Sequence, residues 1–90
     1  METVHLLISG KVQGVFFRQA AAGIAQTLHI TGWIKNTNDA KVEAIVTGNK
    51  EEVKKFIAWC HTGPEKASVE DVAVSKQPDA IFQKFDVIRT

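Results

Sequence analysis

The sequence predicts an α+β fold of the split βαβ, ferredoxin-like kind, a mostly antiparallel sheet with both helices on one face, built over residues 1–90 as a single domain. Three observations lead there. Two stretches carry apolar residues at helical spacing, and each is set between β-branched or alternating stretches, so the order reads βαββαβ with an extra C-terminal strand. Ninety residues bury roughly 60 to 65 % of the surface an unfolded chain exposes, which is enough for one core and no more. Apolar residues make up 44 % and charged residues 23 %, the balance of a packed globular chain, and no repeat, linker or low-complexity stretch interrupts it.

Each element has its own local reason. From Val4 to Val12 aliphatic and β-branched residues dominate, which predicts a central strand with Leu6 and Ile8 on one face. Phe17, Ala20, Ala21, Ile24, Ala25 and Leu28 then recur at helical spacing and predict a helix from about Phe17 to His29, in which Gly23 marks a close helix-to-sheet contact. Thr31 to Asn36 and Lys41 to Thr47 read as two short strands. In the second, Val42, Ala44 and Val46 alternate with polar neighbours, the period of a half-buried strand. The turn formers Asn36-Thr37-Asn38-Asp39-Ala40 close the hairpin between them. Asn49 with Glu52 three residues on has the form of a capping box, opening a second helix whose stripe is Val53, Phe56, Ile57 and Cys60, with Glu51 and Lys55 placed to pair outside. Gly63 and Pro64 end it. Val69, Val72 and Val74, a Gln77-Pro78-Asp79 break, then Phe82, Phe85 and Val87 give one long strand, a loop and a final strand.

Composition removes several classes of function. A formal net charge of +1 provides no basic field for a nucleic-acid backbone, and strand three, Lys41 to Thr47, lacks the aromatic residues with which RNA-recognition modules of the same topology stack bases. No nucleic-acid and no membrane partner is expected. The N-terminal stretch has Glu2 and only a short apolar run, unlike a secretory leader, so the expected location is the cytoplasm. Cys60 is the single cysteine, which excludes an internal disulfide and argues against a cysteine metal site; it falls on the apolar stripe of the second helix. His5, His29 and His61 share no spacing and read as structural or solvent-facing; Lys50, Lys54 and Lys55 read as a solvated helix face.

The informative segment is Ile8 to Arg18, where a strand runs into a loop holding Gly10 and Gly14 and the loop delivers Arg18 to a helix start. Two glycines allow the backbone to turn successive N–H groups inward, and the helix adds unpaired amides and partial positive charge. Arg18 adds a permanently charged fork of donors matched to phosphate oxygens. The predicted ligand is a phosphate group.

Gly10-Lys11-Val12-Gln13-Gly14-Val15-Phe16-Phe17-Arg18 resembles the first signature of the acylphosphatase family. Gly32-Trp33-Ile34-Lys35-Asn36, with Val42 and Gly48 at the expected later spacing, is similar to the second. Two motifs at the correct separation are far more specific than a glycine pair alone. The resemblance covers the whole chain. It implies a hydrolase that splits acyl phosphates into a carboxylate and inorganic phosphate without metal or cofactor. The expected partners are a small-molecule acyl phosphate and inorganic phosphate, the latter as product and competitive inhibitor, and the expected state is a monomer. It aligns Arg18 with the phosphate-binding arginine and Asn36 with the asparagine that orients the attacking water. The backbone amides of Gly14, Val15, Phe16, Phe17 and Arg18 align with the phosphate cradle. One position departs from the pattern: Ala40 stands where the family has glycine. Alanine resists positive φ, so the turn is expected to be remodelled, with Asn38 or Asp39 in the left-handed position.

The chemistry stands without the resemblance. Phosphoryl transfer asks for positioning and for donors aimed at the transferring group. An alkoxide leaving group needs an acid or a metal, whereas a carboxylate, whose acid has a pKa near about 4, leaves unaided. The motifs offer no histidine, carboxylate pair or metal cluster, so a good leaving group is what they suit. Trp33 reads as core or edge packing, with a place beside the substrate's acyl group as the lesser alternative. A non-catalytic phosphate sensor with an intact cradle is the remaining rival, and turnover of a generic acyl phosphate separates the two.

Overall fold

A computed structural model describes residues 1–89. β1 (Glu2–Lys11), α1 (Phe17–Thr27), β2 (Thr31–Asn36), β3 (Val42–Gly48), α2 (Lys50–Thr62), β4 (Ser68–Gln77) and β5 (Phe85–Ile88) follow in that order. One five-stranded sheet has the order β4-β1-β3-β2-β5. All neighbours are antiparallel except β2 and β5, which run parallel. This is the expected split βαβ arrangement, with β5 extending the sheet beside β2. Among the described residues no helix is long and apolar enough to cross a membrane.

Period two puts Val4, Leu6 and Ile8 of β1, Ile34 of β2, and Val42, Ala44 and Val46 of β3 into one buried layer. The helices cover that layer with Phe17, Ala21 and Ala25 from α1 and Val53, Phe56 and Cys60 from α2. An aromatic chain joins the two helices to β5: Phe17 packs tilted against Trp59 at 5.3 Å between centroids, and Phe56 lies 5.9 Å from Phe85. Cys60 is buried packing, and burial pushes its thiol pKa up to about 12. Behind the sheet, Thr3 and Thr47 are buried and share a hydrogen bond of 2.7 Å. Thr47 also donates to the Ala80 carbonyl and Thr3 accepts from the Ala80 N–H, which straps the segment after β4 across β1 and β3.

Several local expectations are corrected. α1 stops at Thr27 rather than His29, because His29 takes φ 56° and the chain reverses there. Ile30 N–H bonds the Ala25 carbonyl and His29 N–H bonds the Gln26 carbonyl, the paired bonds of a Schellman end, made with histidine in the usual glycine position. Gly23 faces open space, so no close contact requires it. Asn49 stands at the N-cap of α2 but its side chain makes no capping bond, which leaves the capping box unformed. Lys55 pairs with Glu52 at 3.8 Å, one turn position away from the expected Glu51.

Candidate active site

Phe17 fixes the start of the site. It is buried against Trp59 and under Gly63, where a Cβ would meet its ring, so the residue that follows it is anchored from below. The loop that leads there turns twice through left-handed backbone, at Gly14 (φ 74°) and Phe16 (φ 63°). Such alternation is what aims successive N–H groups into a concavity. Phe16 accepts the first helical bond, from Ala20 N–H at 3.1 Å, yet among the described residues no side chain caps the helix, and no acidic residue stands in its first turn. The amides of that turn have no intrahelical acceptor.

Gly10 has another task than the one expected of it. It sits in β1 at φ 118°, beside an irregularity in the pairing with β4, and a Cβ there would overlap the Ser68 carbonyl oxygen. Gly10 therefore serves the approach of two strands, and the cradle's bend belongs to Gly14 and Phe16.

Arg18 projects from the first turn of α1 and its Nη1 donates to the Ile88 carbonyl at 3.1 Å, at the end of β5. Gln19, with its amide oxygen turned to Arg89, accepts from Arg89 Nη1 and Nη2 at 3.2 and 2.7 Å. Asn36 ends β2, opposite Val42 in the pairing with β3. Arg18 and Asn36 line one cavity of about 180 Å³, together with Val12, Gly14, Phe16, Phe17 and Gln19. Among the described residues no carboxylate lines it. Of the five residues expected to offer cradle amides, only Val15 does not line the cavity; its side chain is sunk in the core. Asn36 Oδ1 is buried with no hydrogen-bond partner among the described residues. Buried carboxamide oxygens nearly always find a donor, so an orphan of this kind marks a group not spent on holding the fold.

The hairpin beyond Asn36 resolves the question of Ala40. Ala40 itself takes the left-handed conformation at φ 68°, contrary to the expectation that Asn38 or Asp39 would. Thr37 explains the choice. Its N–H bonds the Lys41 carbonyl at 2.9 Å and its hydroxyl accepts from Lys41 N–H at 3.0 Å, which fixes the ends of the turn as if Ala40 were glycine. The Thr37 hydroxyl also bonds the Asp39 carboxylate, and that bond holds the Asp39 pKa below its ordinary value. One contact was not read from the sequence at all: Gln13 Nε2 donates to the carbonyls of Thr37 and Lys41 at 2.9 and 2.8 Å.

The other residues singled out lie elsewhere. His5 bonds Glu43 at 2.7 Å on the open face of the sheet, with Lys35 3.8 Å from the same carboxylate. His29 and His61 sit at helix ends. Trp33 does not line the cavity and lies under the Lys35 ammonium, 5.5 Å from its ring centroid. Among the described residues, no three His, Cys, Asp or Glu side chains come together as a metal-holding group. A larger groove of about 520 Å³, bordered by Gly23, Ile30 and Phe85, shares no residue with the Arg18–Asn36 cavity.

Comparison with known proteins adds an independent line. A family model described as Acylphosphatase matches residues 4–87. An acylphosphatase of Marinobacter nauticus is 43% identical over 86 residues, 96% of this chain and 91% of that protein. Among solved structures, an acylphosphatase from Coxiella burnetii superposes with a TM-score of 0.94 at 33% identity, covering 97% of this chain and 92% of that one. Acylphosphatase from Bacillus subtilis superposes at 0.95 with 26% identity, covering 99% and 100%.

Proposed function

The chain belongs to the acylphosphatase family, and from that premise we propose how its residues divide the work of hydrolysing a small-molecule acyl phosphate to a carboxylate and inorganic phosphate. The amides from Gly14 to Arg18 and the Arg18 guanidinium bind the phosphoryl oxygens, and Asn36 orients the attacking water. The observation that carries this reading is the shared cavity: it joins the turn of unpaired amides, a cation and an asparagine whose buried oxygen has no other partner.

The step balances without a protein acid. Water attacks phosphorus, the bond from phosphorus to the carboxyl oxygen breaks, and the carboxylate departs with its electron pair. Asn36 has no basic atom, so the water's proton passes to an oxygen of the phosphoryl group and the products are carboxylate and dihydrogen phosphate. Donors fixed by backbone and helix need no reorganisation as charge shifts toward the leaving oxygen. The reaction needs neither metal nor cofactor in this reading. Inorganic phosphate, as the product seated in the cradle, inhibits competitively. We further take residues 1–90 to form one catalytic domain that acts as a monomer in the cytoplasm.

Asn36→Ala tests the division of labour. Turnover should fall by about 10² to 10³, the cost of one transition-state hydrogen-bonding group, while the inhibition constant of inorganic phosphate stays near its wild-type value. A collapse of phosphate affinity with turnover preserved would make Asn36 a phosphate ligand and overturn the water-orienting role.

A further inference from the structure

We propose that Gln13 is a positioning residue for the reaction, setting the distance between the cradle loop and Asn36. The inference rests on the role given to Asn36 above.

The need for such a residue follows from the sheet order. The cradle loop leaves the end of β1 and Asn36 ends β2, but β3 lies between them, so no ladder hydrogen bond joins the two halves of the site directly. Gln13 immediately precedes Gly14, and its side chain reaches across that gap. A carboxamide carries two N–H donors, matched here by two acceptors: the carbonyl of Thr37, the residue after Asn36, and the carbonyl of Lys41, the residue before Val42. Since Asn36 and Val42 face each other across the ladder, the two bonds grip the hairpin on both strands just beyond the pair that holds Asn36. Within the hairpin, the Thr37 and Lys41 bonds close the turn on itself. They do nothing to fix it relative to the loop.

Both acceptors are backbone carbonyls, so the position requires a neutral double donor of glutamine's length. Methionine fills the same volume with no donor. Errors of about 1 Å between binding group and reacting group cost on the order of 10² in rate; a hairpin released on one side has that freedom, whereas the cradle amides and Arg18 keep their own supports.

The test is a double-mutant cycle on the full chain with a simple aryl carboxyl phosphate, reading turnover and the inhibition constant of inorganic phosphate for wild type, Gln13→Met, Asn36→Ala and the double variant. Expected are a loss of turnover of about tenfold or more in Gln13→Met, a phosphate inhibition constant changed by less than about twofold, and no further loss when Gln13→Met is added to Asn36→Ala, because groups acting as one unit are not additive. Gln13→Asn, which keeps the amide but is one methylene too short, should show the same pattern at smaller size, and it remains measurable if Gln13→Met does not fold. Equal losses in both backgrounds, or phosphate affinity falling in step with turnover, would overturn the proposal and assign Gln13 to the cradle or to the fold at large. Asn36→Ala slow with Gln13→Met at full rate sinks this inference alone. Asn36→Ala at full rate sinks the reading of Asn36 and this inference with it.

Discussion

Arg18 is tethered to Ile88: its Nη1 donates to the Ile88 carbonyl at 3.1 Å, so the first turn of α1 is held by the end of the last strand. Among the described residues no carboxylate forms an ion pair with Arg18. A guanidinium has five N–H donors in a rigid fork, and one backbone acceptor orients it without neutralising it. That is the arrangement in which an arginine retains its charge for a ligand.

Arg18→Gln should therefore lose on both counts. The neutral amide has fewer donors, and a charge-assisted hydrogen bond of about 1.5–3 kcal/mol is removed, so inhibition by inorganic phosphate should weaken at least about tenfold. Turnover should drop by about 10² to 10³. Steady-state kinetics with phosphate as inhibitor check both numbers on one preparation. Wild-type turnover together with wild-type inhibition would show that Arg18 only ties α1 to β5.

The leaving group gives a second prediction. Among the described residues no histidine or carboxylate lines the Arg18–Asn36 cavity, so none of them can protonate a departing alkoxide. An aryl carboxyl phosphate should turn over in the presence of excess chelator at its ordinary rate, and an alkyl phosphate monoester should be slower by orders of magnitude, since general acid assistance is worth about 10² to 10⁴. Activity lost on chelation and restored by a divalent ion would require a metal in the mechanism. Comparable rates on the two substrates would require an acid in reach of the cavity.

The sequence shows those parts of this protein that repeat or that belong to a motif. Leu6 and Ile8, and Val42, Ala44 and Val46, follow a period of two, and each is buried as that period demands. Arg18 and Asn36 stand in two separate motifs, and the β1-β3-β2 order then brings them to one cavity. What the sequence hides is decided by tertiary contact. The Gln13 bonds to Thr37 and Lys41 span 24 and 28 residues, and one polar side chain reaching two distant carbonyls leaves no periodicity to read. His29, Phe16 and Ala40 adopt positive φ against their own preference because flanking bonds over-determine them. Gly23 shows the converse: a mid-helix glycine that predicts a close contact meets none.

Ala40 carries the last prediction, because it separates backbone strain from site chemistry. Its φ of 68° lies in the left-handed region, which costs an L-residue about 1–2 kcal/mol. Glycine removes that strain but returns about 0.4–1 kcal/mol as extra freedom in the unfolded chain. Ala40→Gly should therefore stabilise by about 0.5–1 kcal/mol, a rise in Tm of about 2–8 °C for a domain of this size, and turnover should not change, since the turn keeps its shape and Asn36 its place. Gly32 supplies the contrast. It also has positive φ, at 137°, but a Cβ there would overlap the Ile45 carbonyl oxygen in the neighbouring strand, so Gly32→Ala adds a clash to the strain and should destabilise by several times the amount that Ala40→Gly gains. Thermal unfolding of both variants, with turnover measured well below their midpoints, checks the pair. If Ala40→Gly lowered Tm, the hairpin would draw stability from the alanine side chain, and strain at that turn would not be the reason for its cost.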